Sequence, residues 1–208
     1  MTDTPAATPD FDPTASLTGE FVVLRPLAVS DAAITHGWRH GARARYLNAA
    51  APTVEDQARW IAARPANEVN YIIALNGGLA IGMLSLVNID LGNRRAESAR
   101  FLIGDEAAAQ GTPAAVEAML LLYGLAFERL GLERVYGVIE DRNQLMVKWQ
   151  KYLGMKEEGR LRRHFFMDGE FHDAIALGLL ADEYRAVALP RMRGLIKLGR
   201  ARAAGPRA

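Results

Sequence analysis

Residues 96–122, AESARFLIGDEAAAQGTPAAVEAMLLL, constrain this chain more than any other stretch. The spacing predicts a short apolar strand over 99–103, a loop of small residues, and a helix opening at Thr112 and Pro113. Thr is a favoured N-cap, and Pro suits the first helical position, where its missing N–H would have no intrahelical partner anyway. Such an opening presents free backbone donors at the positive end of a helix dipole, where a phosphate or pyrophosphate can be held. The same local pattern also starts helices whose ends bind only water.

At 208 residues the chain can bury one substantial core and carry a tail besides. Cysteine is absent, which removes disulfides, thiolate metal sites and a cysteine nucleophile together. The four histidines show no metal-ligand spacing such as H-E-x-x-H, so no metal is expected. There is no G-x-S-x-G from which to build a hydrolase triad. With a net charge of +1, nucleic acid is not the expected partner. Neither a secretory leader nor an apolar run of about 18 residues is present, so a cytoplasmic protein without a membrane span is expected.

In chain order, residues 1–19 read as a flexible lead-in containing Pro5, Pro9 and Pro13. FVVLRP (21–26) predicts a strand closed by Pro26, and Ser30 and Asp31 offer a cap for a helix over 32–40. Thr53 and Glu55 begin a second helix ending near Arg64. Two apolar runs, 70–75 and 79–90, flank an Asn-Gly-Gly turn, and GNRR (92–95) leads into the strand before the small-residue loop. Three strands joined by tight turns imply an antiparallel meander. The long helix over 113–130 places Ala115, Met119, Leu122 and Ala126 on one face. A strand (134–140), a helix from Asn143 through Tyr152 stopped by Gly154, and a hairpin (161–167 and 170–180) around Asp168-Gly169 follow. The expected class is α/β (α+β): a mixed, mostly antiparallel sheet with helices on both faces. A basic tail, 188–208, carries an apolar stripe of Leu189, Met192, Leu195, Ile196 and Leu198. It reads as a docking helix or frayed end, or as a basic amphipathic helix for an acidic surface.

That order of elements resembles the GNAT superfamily of acyl-CoA-dependent N-acetyltransferases, across residues 20–187. LRPLAVSDA (24–32), IGMLSLVNID (81–90), NQLMVKWQKYLGM (143–155) and DGEFHDAIALGLL (168–180) are similar to successive family segments, in the same order. Two positions depart from the pattern. The family's pyrophosphate loop, Q/R-x-x-G-x-G/A, is here Gln110-Gly111-Thr112-Pro113-Ala114-Ala115, with Pro at the central Gly; this removes one N–H. At the position of the usual tyrosine, thought to protonate the leaving thiolate, stands Gln150, which can donate a hydrogen bond but is no general acid. Tyr152 lies roughly 200° further around the helix.

The resemblance implies acetyl-CoA as cosubstrate. Its pantetheine would pair near Leu102 and Ile103, and its pyrophosphate would sit on Gln110 and the amides of Gly111, Thr112, Ala114 and Ala115, with Asn143 nearby. Glu97 is the candidate base, with Glu140 behind it, and Tyr152 the second candidate for proton handling. Glu97 reads equally as a solvated strand-edge charge. Trp38, Arg39, Arg43 and Tyr46 fall where the family builds its acceptor pocket, and His164 and His172 flank the last hairpin. An α-amine, with a pKa of about 8, needs less base than a lysine amine of about 10.4, so the missing tyrosine leans away from lysine. WRHGARARYL (38–47) and the Thr53, Gln57, Trp60 helix resemble enzymes that acetylate the 4-amino group of UDP-linked amino sugars for flagellin glycans such as pseudaminic acid. RLRRHFFMDGEFHD (160–173) is shared with ribosomal-protein N-terminal acetyltransferases, the first alternative. A non-catalytic CoA-binding protein is the second. The expected partner is a small amine, a nucleotide sugar first; a homodimer is left open.

Overall fold

The computed structural model describes residue 12 and residues 14–204. Most of the expected lead-in (1–11 and 13) and the end of the basic tail, including Arg207, lie outside the described residues. The strands are β1 (Leu17–Thr18), β2 (Val22–Pro26), β3 (Val69–Leu75), β4 (Ala80–Asp90), β5 (Arg95–Ile103), β6 (Arg134–Glu140), β7 (Lys156–Met167) and β8 (Glu170–Leu180). They form one sheet in the order β1-β2-β3-β4-β5-β6-β8-β7. The expected meander is β3, β4 and β5, paired antiparallel in sequence.

Three strand boundaries differ from expectation, and the long helix starts one residue later than expected, at Ala114 with Pro113 as its cap, and passes into a wider π-helical turn over Leu125–Arg129. Leu17 and Thr18, assigned to the flexible lead-in, pair with Leu24 and Val23, because Leu17 is apolar enough to be buried beside Leu24. β5 begins at Arg95 and β7 at Lys156, earlier than their apolar residues suggest. Backbone pairing to β6 and β8 carries polar side chains into each strand.

Helices α1 (Ala32–Arg39) and α2 (Val54–Ala62) cover one face; α4 (Ala114–Gly124), α5 (Gln144–Leu153) and α7 (Leu189–Ala204) cover the other. Alternation sorts the strands between them. Tyr71 and Ile73 join the core under α4, whereas Ile72, Met83 and Leu102 join a smaller cluster with Ala44 and Trp38. Short helices α3 (Glu106–Ala109) and α6 (Ala181–Glu183) complete the order.

Helix α4 is not simply amphipathic. Met119 and Leu122 of the expected face are fully buried, with Ala126 in the turn just beyond α4, and Ala115 only partly; Ala114, Ala118 and Tyr123, and Leu125 and Phe127 of that turn, are buried too. A helix apolar all round must be covered all round. The cover is α7, whose Met192 and Ile196 are buried and whose Leu189 and Leu195 pack on the same core. The tail's stripe is thereby used inside the protein, apart from Leu198, which is exposed. Gly199 of α7 sits over Pro113, so close that a Cβ there would lie 2.8 Å from the proline ring.

β5 and β6 form the sheet's single parallel contact, over Arg95↔Arg134, Ala96↔Val135 and Glu97↔Tyr136 only. Beyond that point β5 stays with β4, and β6 stays with β8 as far as Glu140↔Ala174, so the sheet forks. β5 also carries a bulge: Met83 pairs with Leu102 but Ser85 with Ala99, leaving an extra residue around Arg100, whose φ is +56°.

A buried carboxylate ties α4 to the sheet's far edge. Glu117 accepts the backbone N–H groups of Glu20, Phe21 and Val22 at 2.8, 2.7 and 2.8 Å. Gly19 lies against it, where a Cβ would be 2.6 Å from the carboxylate carbon. Glu117→Ala strands three donors, and at about 1–3 kcal/mol for each unmatched buried group the expected loss in urea unfolding is about 3 kcal/mol or more. Glu117→Gln, which keeps one acceptor, should lose less. A loss below about 1 kcal/mol in the alanine variant contradicts this assignment.

Candidate active site

The fork opens into a cleft of about 650 Å³. Ser98, Ala99, Arg100 and Phe101 of β5 form one wall and Gly137, Val138, Ile139 and Glu140 of β6 the other. Asn143, which caps α5, Met146 and Gln150 of α5, and Arg39, Tyr46, Trp60 and Arg64 also line it. Concave spaces with a few converging polar groups are the usual form of ligand sites.

Glu97 stands at the vertex, in the last paired position of β5. Burial raises its pKa above the ordinary carboxylate value, opposed by a 2.9 Å hydrogen bond from Asn88 Nδ2 and by the charges of Arg100 and His164. Tyr136, paired across from it, is raised by burial and then by the Glu97 charge. His164 thus sits near Glu97, although its own side chain is exposed.

Opposite the fork, Glu68 is shared by two arginines. Arg64 Nη1 reaches it at 3.1 Å, and Arg100 Nη1 pairs with its other oxygen while donating to Asn70 Oδ1 at 2.9 Å. Both guanidiniums lie over Trp60, Arg64 at 3.8 Å and Arg100 at 5.1 Å from the ring centre. Glu140 is held by Arg142, at 2.5 Å from Nε and 3.1 Å from the backbone N–H.

Arg39 is different. Its guanidinium donates to the carbonyls of Asn48 and Ala49, and no carboxylate pairs with it among the described residues. Burial lowers its pKa, and the Arg100 charge lowers it further. Arg43, by contrast, pairs with Glu106. Tyr46 lines the cleft with Arg45 at 4.6 Å over its ring.

Not every residue singled out in the sequence reaches this space. Trp38 packs in the small cluster with Ile72, Met83 and Leu102, over Gly104, where a Cβ would fall within 2.3 Å of the indole. It is a core residue and not a wall of the cleft. The Leu102 side chain belongs to the same cluster, leaving only its backbone to face a ligand. Tyr152 is 54% exposed on the outer side of α5, beside Arg191 and away from the cleft. His172 stands behind Glu140, its Nδ1 3.9 Å from the carboxylate. Asn143 lines the cleft and caps α5, its Oδ1 accepting from Met146 N at 3.3 Å.

The loop from Gln110 to Ala115 is outside the cleft walls, at the α4 terminus. Gln110 and Gly111 are exposed, and Gly111 has φ +75°, a conformation suited to glycine. Two of the four expected amide donors are occupied. Thr112 N bonds Ala109 O at 3.2 Å, and Ala114 N bonds Thr112 Oγ1 at 3.3 Å. The N–H groups of Gly111, Ala115 and Val116 have no partner among the described residues. Pro113 is buried under Gly199, so packing against α7 accounts for the proline.

Ser98, Asn88, Arg100, Glu68 and Tyr123 were not among the expected site residues. Arg100 enters the cleft through a bulge that no alternation pattern announces. Tyr123 reads as one more apolar helix position.

The model of the acetyltransferase (GNAT) domain matches residues 22–156. The spermidine N(1)-acetyltransferase of Escherichia coli (strain K12) is 29% identical over 120 residues, 58% of this chain and 62% of the relative. A Bacillus subtilis (strain 168) protein provisionally named a ribosomal N-acetyltransferase is 34% identical over 110 residues, 53% of this chain and 58% of that one. The chain thus spans less than two thirds of the curated relatives it matches. The spermidine N-acetyltransferase of Vibrio cholerae, crystallised with CoA and spermine, superposes with a TM-score of 0.71 at 20% identity, over 80% of this chain and 99% of that one, a likeness of fold. With a family model matching most of its length, a forked sheet and open amides at the α4 terminus, the chain belongs to the GNAT acetyltransferase family, whose members take their acyl group from acyl-CoA.

Proposed function

We propose that the protein is an N-acetyltransferase that moves acetyl from acetyl-CoA to a primary amine on a small anionic acceptor, most specifically the 4-amino group of a UDP-linked amino sugar. The observation that carries this reading is the fork with Glu97 at its vertex. The residues present suit the cosubstrate. Backbone at 100–103, freed on the β6 side by the fork, supplies edge donors and acceptors for an amide-containing arm. The N–H groups of Gly111, Ala115 and Val116 suit a diphosphate at the positive helix end.

The amine must lose a proton before it can attack. Glu97, directly or through water, takes that proton, and a raised pKa makes it a better base near neutrality. Backbone N–H groups at the bulge would face the developing charge on the thioester oxygen.

Cleft electrostatics favour an anionic acceptor. Arg39 brings a positive charge with no paired carboxylate among the described residues, while Arg64 and Arg100 divide one glutamate between them. A diphosphate or carboxylate would complete Arg39 in a charge-assisted pair. A polyamine, such as the substrate named for the Escherichia coli relative, would bring cations toward these arginines. The alternatives are acetylation of protein N-termini, to which the Bacillus subtilis relative's name points, and CoA binding without catalysis.

Release of free CoA with UDP-linked amino sugar, spermidine and N-terminal peptides separates these readings. The nucleotide sugar should have the highest kcat/KM; faster turnover of spermidine overturns the anionic-acceptor reading, and acetyl-CoA binding without turnover of any amine favours the binder. Arg39→Ala should raise KM for the nucleotide sugar by roughly 10-fold or more, the loss of one charge-assisted hydrogen bond, with kcat little changed. An unchanged KM removes Arg39 from the acceptor site.

Glu97→Gln should lower kcat/KM at neutral pH by roughly 100-fold. The wild-type acid limb should fall above the ordinary glutamate value of about 4.3. Because the folded-state pKa is raised, the native protein holds this proton more tightly than the unfolded chain does, and stability falls as pH rises through that window. The variant should therefore melt higher than wild type at neutral pH, with the difference narrowing toward acid. Equal turnover and an unchanged melting difference across pH would remove the assignment.

A further inference from the structure

We propose that Gln150, oriented by Tyr123, donates the hydrogen bond that receives the departing sulfur, so that the enzyme expels CoA as a thiolate without protonating it in the site. The inference rests on the acetyltransferase reading. Gln150 is buried on the inner side of α5 and lines the cleft. Its Oε1 accepts the Tyr123 hydroxyl at 3.0 Å. Tyr123 is fully enclosed under the sheet. The Tyr123 hydroxyl, bonded to the amide oxygen, fixes the Gln150 amide with its oxygen inward and its Nε2 toward the cleft. That Nε2 makes no hydrogen bond among the described residues, and it is not one of the fully enclosed atoms lacking a partner.

The position is the reacting end of the cleft. β5 and β6 part after Glu97 and Tyr136, and the next residues, Ser98 and Gly137, flank the opening. A Cβ on Gly137 would lie 3.7 Å from the Ser98 carbonyl and 4.0 Å from Met155 Sδ, so β5 and the chain just past α5 both come within contact of this point of β6. Gln150, Ser98 and the Glu97 base converge there.

Chemically, an acid is unnecessary. As the amine nitrogen bonds to the acetyl carbon, the C–S bond breaks and its electron pair stays on sulfur. The amine proton passes to Glu97 and then to water, and the products are the amide and a thiolate. A thiol with a pKa near 8.5 is a good leaving group, and an amide N–H placed on sulfur as charge arrives lowers the barrier further. Tyr123 cannot supply the proton itself. Burial raises its pKa far above the ordinary phenol, and an amide stands between it and the cleft. It is a positioning residue.

Two near-isosteric variants test this: Gln150→Met, which removes the donor, and Tyr123→Phe, which removes its orientation. With wild-type turnover in hand, Gln150→Met should lose roughly 100-fold in kcat, and Tyr123→Phe a smaller part, each with KM for acetyl-CoA within about threefold. The double variant should lose no more than Gln150→Met alone, because both changes break one chain of hydrogen bonds. Wild-type kcat should rise through its base limb and stay flat to alkaline pH, whereas Gln150→Tyr should introduce a new alkaline decline as the phenol ionises. Retention of more than half of kcat in Gln150→Met overturns the proposal, as does an alkaline limb in wild type that Tyr123→Phe abolishes. Failure of the wild type to release CoA with any amine overturns the acetyltransferase reading, and this inference with it.

Discussion

Three residue pairs hold β5 to β6, and the cleft opens where that pairing stops. The antiparallel contacts on either side continue, so each half of the sheet keeps its own hydrogen-bond partners while the middle opens. An opening in a sheet exposes unpaired backbone groups, which is costly unless another chain or ligand meets them. An amide-bearing cosubstrate can act as the missing strand. The same opening gives Glu97 its place at the last paired position of β5 with β6; one residue either way, the side chain would point to the other face.

The C-terminal helix is part of this arrangement. α4 starts at the loop that offers the open amides, and it is apolar on all sides because the sheet covers one side and α7 the other. Pro113 gives up a donor that a glycine would have supplied, and in return packs beneath Gly199. Arg200 of α7 pairs with Glu20, next to the backbone that Glu117 clamps. The loop, α7 and the β1–β2 turn are therefore mechanically linked through α4, and the basic stretch serves as the docking helix that is one of its sequence readings.

Much of the fold was legible because its signals are local. The Asn-Gly-Gly turn between β3 and β4, Thr53 capping α2, Asn143 capping α5 and Gly154 ending it are each a short-range choice that the structure uses. Long-range facts were less so. Trp38 sits in the expected pocket segment, but only the approach of Gly104, just after β5, determines that the indole is core. Tyr152 was a reasonable acid by residue type, and helix phase turns it to solvent. Arg100 depends on a bulge, and Tyr123 on a partner 27 residues away, and neither leaves a periodic trace. Glu97 and Gln150, singled out by the family pattern, both line the cleft, but their surroundings come from strands and helices distant in sequence.

The central claim is that coenzyme A fills the fork and rests its diphosphate on the α4 terminus. Amide hydrogen exchange of the full chain, read residue by residue with and without acetyl-CoA, tests this most directly. The account predicts slowed exchange at residues 100–103 and at Gly111, Ala115 and Val116, with the β7–β8 hairpin tip unchanged. Exchange at those amides that is indifferent to acetyl-CoA, or protection confined to other surfaces, would contradict it.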